Sequence, residues 1–262
     1  MDRAPQRDPS EITVINTHLN ADFDALASLL AAQKLYPDAR VVFPGSQEKN
    51  LRNFFIDSMV YLFNMAEVST IDLDRVKRLV LVDTRQPGRI GRLADLLEKP
   101  GVDIHVYDHH PPGDGDIRGR LEVCAPTGAN VTLLIEAIRA RGGIEISPDE
   151  ATIMCLGLYE DTGSFTFPST TERDFLAAAF LLARGANLNV VSELIARELN
   201  PEQVTLLNDM IQSANRSQVN GIEVVMTSIS RETYIPDFAF LVQKMARMEN
   251  LEAIFALALM ES

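Results

Sequence analysis

Three short runs in the first half of the chain are apolar almost throughout and then stop abruptly at a residue carrying a charge or an imidazole. They are residues 12–17 (ITVINT) before His18, residues 78–83 (RLVLVD) ending in Asp83, and residues 103–108 (DIHVYD) ending in Asp108 before His109 and His110. Such runs read as strands buried on both faces, and an amphipathic stretch at 24–35 and another strand-like run at 40–43 follow the first of them. Strands separated by helices imply right-handed βαβ units, so the expected fold is α/β, with a parallel, Rossmann-like sheet and helical layers. In open sheets of this kind the loops leaving the carboxyl ends of the strands converge on one edge, where ligands bind. The three most polar constellations follow these carboxyl ends.

Beyond residue 130 the pattern turns helical, over 131–141, 148–159, 172–184 and 188–199, with boundaries at Gly142-Gly143, Ser147-Pro148 and Gly185. A further helix over 201–217 leads through Asn220-Gly221 into a strand at 222–228, a helix at 237–248 and a strand at 253–259. This ordering predicts a main domain over 1–200, a connector helix within 201–220 and a smaller α/β domain over 221–262. A strand-helix-strand piece of ~40 residues is too small to bury its own core. The second domain is therefore expected to be incomplete, with further domains beyond Ser262.

Charge and cysteine content narrow the chemistry. With 24 basic against 37 acidic residues, a net charge of −13, the chain is ill suited to coating duplex phosphates and compatible with a cleft whose positive charge comes from divalent cations. Cys124 and Cys155 are far apart and imply neither a thiolate metal site nor a disulfide. No apolar run reaches the ~18 residues of a membrane span, and the polar start MDRAPQRDPSEI has no signal-like apolar core, so a cytoplasmic protein with no membrane partner is expected.

Four segments carry candidate chemistry. His18, Asn20, Asp22 and Asp24 alternate in one loop and face one side if it stays extended; an imidazole with two carboxylates suits Mn²⁺ or a similar octahedral cation. Helix capping by Asp22 or Asp24 is an equally open reading. Asp83 closes a strand, and Asp108-His109-His110 puts a carboxylate and two imidazoles at the same edge, so that three of the four histidines fall in just two loops. Asp161 sits where a buried helix ends in Thr162-Gly163, a position that opposes the helix dipole unless a cation lies beside it. Between them, Thr127 and Gly128 lead into a helix N-terminus that could receive an anion, although a simple cap and turn is the plainer explanation.

In this order and spacing the four segments resemble the DHH phosphoesterase family, named for the triplet present here as Asp108-His109-His110. The resemblance implies a centre of two Mn²⁺ ions, with Mg²⁺ or Co²⁺ as substitutes. His18, Asp22 and Asp83 would hold one ion and Asp24, Asp83, His109 and Asp161 the other, with Asp83 bridging. It further implies that His110 faces the scissile phosphate with Asp108 in support, so that Asp83, His110 and Asp108 form the catalytic set and Asn20, Thr127, Gly128 and His110 contact the substrate. Ala21 and Ala27 stand where many members carry proline and glycine, which removes no ligand. The segment from 222 to 259 looks like the start of a DHHA1-like substrate-binding domain, without the late glycine-rich histidine motif of nucleotide-cleaving members. It also lacks the Ser-Arg-Lys-Lys type cluster of the manganese pyrophosphatases, which disfavours pyrophosphate. The implied activity is hydrolysis of a phosphoester in a small nucleotide or short single-stranded nucleic acid, with a homodimer among the implied assemblies. The turn LYEDTGSFTF is also similar to DHH modules that precede CBS domains and a tRNA nucleotidyltransferase in long bacterial proteins. A second function therefore stands beside the first: a nucleotide-sensing or regulatory module of such a protein.

Overall fold

Residues buried on both sides of a sheet form its interior strands. β1 (Ile12–Asn16), β2 (Arg40–Val42), β3 (Val76–Val82), β4 (Asp103–Asp108) and β5 (Leu121–Cys124) form a sheet in the order β2-β1-β3-β4-β5, parallel throughout. The computed structural model describes residues 11–44, 65–195 and 199–261. The chain divides into two units, Met1–Ala196 and Arg197–Ser262, and this sheet belongs to the first.

Side chains along β3 alternate between two cores, as strand geometry requires. Leu79 and Leu81 join Val14, Val106, Leu93 and Leu96 on one face, while Val80 and Val82 join Ile15, Leu26, Leu30 and Leu134 on the other. That second face is covered by α1 (Phe23–Leu35), α2 (Asn130–Arg141), α3 (Pro148–Asp161), α4 (Glu172–Leu182) and α5 (Leu188–Ile195). The first face receives 3-10 turns at Pro87–Arg89 and Gly91–Leu96. α1 packs against both α2 and α3 and is buried nearly all round. The crossing of α1 and α3 is close because Gly157 lacks a side chain: a Cβ there would lie 2.6 Å from Ala27 Cβ and 2.9 Å from Asp24 Cα. Asn16 pairs with Leu81 and Val82 with Tyr107, so the carboxyl ends of β1, β3 and β4 are level.

The second unit holds α6 (Pro201–Gln212), β6 (Asn215–Val219), β7 (Ile222–Arg231), α7 (Phe238–Met248) and β8 (Ala253–Met260). Its sheet runs β6-β7-β8, antiparallel then parallel. The helix expected over 201–217 ends at Gln212 because Asn220 and Gly221 are both left-handed, with φ 52° and 85°. They make a two-residue hairpin turn that pairs Val219 with Ile222 and draws residues 215–219 into a strand. α6, expected as a connector, lends Leu206, Leu207 and Met210 to a core shared with Val225, Leu241 and Met245. Along β8, Phe255, Leu257 and Leu259 are 66%, 68% and 70% exposed. Among the described residues no helix is long and apolar enough to cross a membrane.

Candidate metal centre

The polar segments of the first unit meet at the carboxyl edge of its sheet. After β1 the chain turns at Asn20, whose φ is 62°. The extended loop that would send His18, Asn20, Asp22 and Asp24 to one side does not form. Asn20 is exposed, while His18 and Asp24 are buried. Asp22 caps α1, accepting from Ala25 N at 2.9 Å, and still belongs to the ligand-capable group around His18. Asp24 caps a different helix, accepting from Asn130 N at 2.6 Å and Val131 N at 3.0 Å at the start of α2. Asp83 follows β3 with φ 58°, a left-handed conformation uncommon for a residue with a side chain and concentrated at functional sites.

Two imidazoles define the centre's geometry. His18 Nδ1 lies 2.9 Å from Leu19 O, and His109 Nδ1 lies 3.0 Å from Thr127 O. A carbonyl can only accept, so Nδ1 carries the proton in both rings and Nε2 is turned into the site, as in metal-ligating histidines. The two Nε2 atoms approach different oxygens of one carboxylate: His18 is 3.2 Å from Asp83 Oδ2 and His109 is 3.5 Å from Asp83 Oδ1. His109 Nε2 also lies 3.3 Å from Asp161 Oδ2. Ligand-capable atoms within 4.8 Å of one another form three groups, His18–Asp22–Asp83, Asp24–His109–Asp161 and Asp83–His109–His110.

The charges are strongly interdependent. Burial raises the Asp83 carboxyl, yet hydrogen bonds from His109 and His18 outweigh it and hold the group at about 2. His109 is lowered by burial but lifted to about 10 by Asp83 and Asp24. Asp161 rises to about 7 through burial and the Asp83 charge, and Asp24 and Asp22 rise for the same two reasons. Four carboxylates thus share too little positive charge, a deficit that divalent cations correct. Asp83 Oδ1 is buried and has only long contacts, to His109 Nε2 at 3.5 Å and His110 Nδ1 at 3.8 Å. Two Nε2 atoms whose protons a cation can replace, hard carboxylate oxygens and this loosely held oxygen fit divalent cations.

Asp108 lies behind the pair of histidines. Its Oδ1 is 2.7 Å from His110 Nδ1 and its Oδ2 is 2.9 Å from Arg85 Nε. Arg85 is itself buried, lies 3.1 Å from Asp116 Oδ2 and donates to the His110 carbonyl. The His110 ring is partly exposed and sits edge-on to His109 at 4.6 Å. The α2 N-terminus, expected as a place for an anion, is already filled by protein carboxylates. Gly128 N donates to Asp174 Oδ2 at 2.8 Å, and Thr127 Oγ1 donates to Ala129 O at 2.8 Å. This corrects the reading of Gly128 as an anion donor, and the group of Thr127 that faces the site chemistry is its carbonyl, through His109.

Three residues escaped the sequence reading: Arg85, Asp174, and Glu160, whose Oε2 accepts from Phe23 N at 2.6 Å. Asp174 also accepts from Thr132 Oγ1 at 2.6 Å and from Thr171 N and Oγ1 at 2.7 Å each. The capping pattern Thr171-x-x-Asp174 was the available signal, but it indicates only a local role.

A parallel α/β sheet carrying clustered carboxylates and Nε2-presenting imidazoles at its carboxyl edge defines a metal-site domain of the Rossmann-like class. Residues 12–158 match the DHH family, N-terminal domain, and the chain belongs to that family. It is 47% identical over 245 residues to the A-adding tRNA nucleotidyltransferase of Geobacter sulfurreducens, covering 92% of this chain and 27% of that protein. The chain thus spans about a quarter of that relative's length. It is 23% identical over 252 residues to the bifunctional oligoribonuclease and PAP phosphatase NrnA of Bacillus subtilis, covering 93% of this chain and 75% of that one. The crystal structure of an exopolyphosphatase-related protein from Bacteroides fragilis shares the fold, with a TM-score of 0.65 at 20% identity over 84% of this chain and 66% of that one.

Proposed function

We propose that this chain is a metal-dependent phosphoesterase that hydrolyses a phosphoester of a small nucleotide or short single-stranded nucleic acid. The observation that carries the reading is the position of Asp83, whose two oxygens face the Nε2 atoms of two different histidines. In this reading His18, Asp22 and Asp83 hold one Mn²⁺, and Asp24, Asp83, His109 and Asp161 hold the other. Cations held by these residues would lower the pKa of a bound water and offset charge on the attacking and leaving oxygens. Asp83 keeps both positions at close range. Asp108 accepts from His110 Nδ1, and Arg85 Nε holds the other oxygen of Asp108, which leaves His110 Nε2 for a phosphoryl oxygen. Asn20 is an exposed substrate contact, and residues 221–262 belong to a DHHA1-like substrate-binding domain. The test is phosphate release with Mn²⁺ from dinucleotides, short RNA, nucleoside monophosphates and pyrophosphate. Release from the nucleotides supports the reading, and no release from any of them contradicts it.

The likeness to a tRNA nucleotidyltransferase, of which this chain spans 27%, favours a second reading, a nucleotide-sensing module within a larger protein of that type. Nucleotide binding without release is its signature.

A further inference from the structure

The turn after Asp161 is held in an unusual shape. Gly163, Ser164 and Phe165 are all left-handed, with φ of 54°, 56° and 64°. Residues with side chains keep such a conformation only where their surroundings impose it. Here Thr162 imposes it: its Oγ1 accepts from Phe165 N at 3.0 Å and its carbonyl accepts from Thr166 N at 3.0 Å and Phe167 N at 2.9 Å. The result is to separate two phenylalanines. Phe165 turns inward, edge-on to Tyr159 at 5.0 Å and stacked on Phe175 at 4.8 Å. Phe167 turns outward with its ring seated on Gly163, so closely that any Cβ at 163 would overlap it, and remains 40% exposed. Gly163 is two residues from Asp161, and successive Cα atoms are ~3.8 Å apart, so the ring's seat lies within ~8 Å of the Asp161 backbone. A partly exposed aromatic face seated on Gly163 therefore stands close to a cluster otherwise built from carboxylates and imidazoles. The ligand with matching chemistry has a charged group for the cluster and a flat π face one sugar away, and stacking of that kind tolerates any base.

We propose that Phe167 is the stacking surface for the base of a nucleoside phosphate whose phosphate lies at the metal centre, an assignment that rests on the phosphoesterase reading and gives that site a preference for nucleotides over base-free phosphates. The chain contains no tryptophan, so Phe167→Trp installs a single fluorophore at the proposed contact. With Mn²⁺ present, adenosine monophosphate should quench this fluorescence and ribose 5-phosphate should not. By calorimetry, Phe167→Ala should weaken adenosine monophosphate about tenfold and leave ribose 5-phosphate unchanged, the size expected for one lost stacking contact. Equal weakening of both ligands, or of neither, overturns the assignment, as does quenching by ribose 5-phosphate alone. Phosphate release by the unaltered protein is scored separately. Base-dependent binding through Phe167 without release keeps the subsite and removes the esterase reading; release with no dependence on Phe167 does the reverse.

Discussion

Both units bury an apolar core, but they differ in how much charge they bury with it. The first takes His18, Asp24, Asp83, Arg85, Asp108 and Asp174 out of water, whereas the second buries mainly apolar side chains on one face of its sheet and leaves Phe255, Leu257 and Leu259 exposed on β8. Burying a charge is costly unless it is paired and hydrogen-bonded. The first unit meets that requirement with long-range partners: Asp24 and Asp174 both serve the start of α2, and Arg85 joins Asp108 to Asp116. A polar substitution should therefore cost more in the first unit than an apolar deletion costs on the open face of the second.

The largest stability effect is expected at Asp174. Asp174→Ala leaves the N–H groups of Gly128 and Thr171 and the hydroxyl of Thr132 without their acceptor, a loss of about 3 kcal/mol. Urea unfolding measures it, and a loss under ~1 kcal/mol would mean that the network is not holding the α2 terminus. Gly163→Ala comes next, since φ 54° and the Phe167 ring both oppose a Cβ; about 1–2 kcal/mol is expected from backbone strain and displacement of the ring.

A smaller effect concerns pH. His105 is pushed below its ordinary 6.5 mainly by burial, with Arg78 and Arg120 acting in the same direction and Asp103 against them. Its Nδ1 lies 2.7 Å from Tyr36 Oη and its Nε2 lies 3.1 Å from Asp103. Because the folded value is the lower, the unfolded chain takes up the proton first. The group's contribution is intact above about pH 6.5 and falls as pH drops from there toward the folded value. His105→Gln should flatten this part of the stability profile, and an unchanged slope would assign it elsewhere. The smallest effect is expected at Leu257→Ser, within ~0.5 kcal/mol by urea unfolding. A cost above ~2 kcal/mol there would break the contrast between the units.

The legibility of the chain follows the same division. β1, β3 and β4 were readable because strands buried on both faces give continuous apolar runs, and the abrupt polar residues at their ends marked His18, Asp83 and the Asp108-His109-His110 triplet. β5 was not, since Leu121–Cys124 lies at the sheet edge with mostly exposed residues and no such run. β6 was missed although Asn220-Gly221 announced a hairpin, because residues 215–219 read as the tail of a helix. Arg85 and Asp174 were out of reach for another reason. Apart from the Thr171 cap of Asp174, their partners lie 23 or more positions away in the chain, and no local spacing encodes such pairs. The extended reading of the His18–Asp24 loop failed at Asn20, where a left-handed residue that asparagine tolerates turns the chain.

The central claim is that Asp83 joins two metal positions, and it is tested by counting Mn²⁺ bound to Asp83→Asn, Asp22→Asn and the unaltered protein by calorimetry. Asp83→Asn gives up the charged partner of His18 and His109 and Asp22→Asn weakens the α1 cap, so both metal-free variants should melt below the unaltered protein yet remain folded, which melting of the metal-free proteins checks. The account predicts two ions for the unaltered protein, loss from only one position in Asp22→Asn, and disturbance of both in Asp83→Asn, with phosphate release abolished even at saturating Mn²⁺. Two ions bound to Asp83→Asn with near-normal release would contradict it.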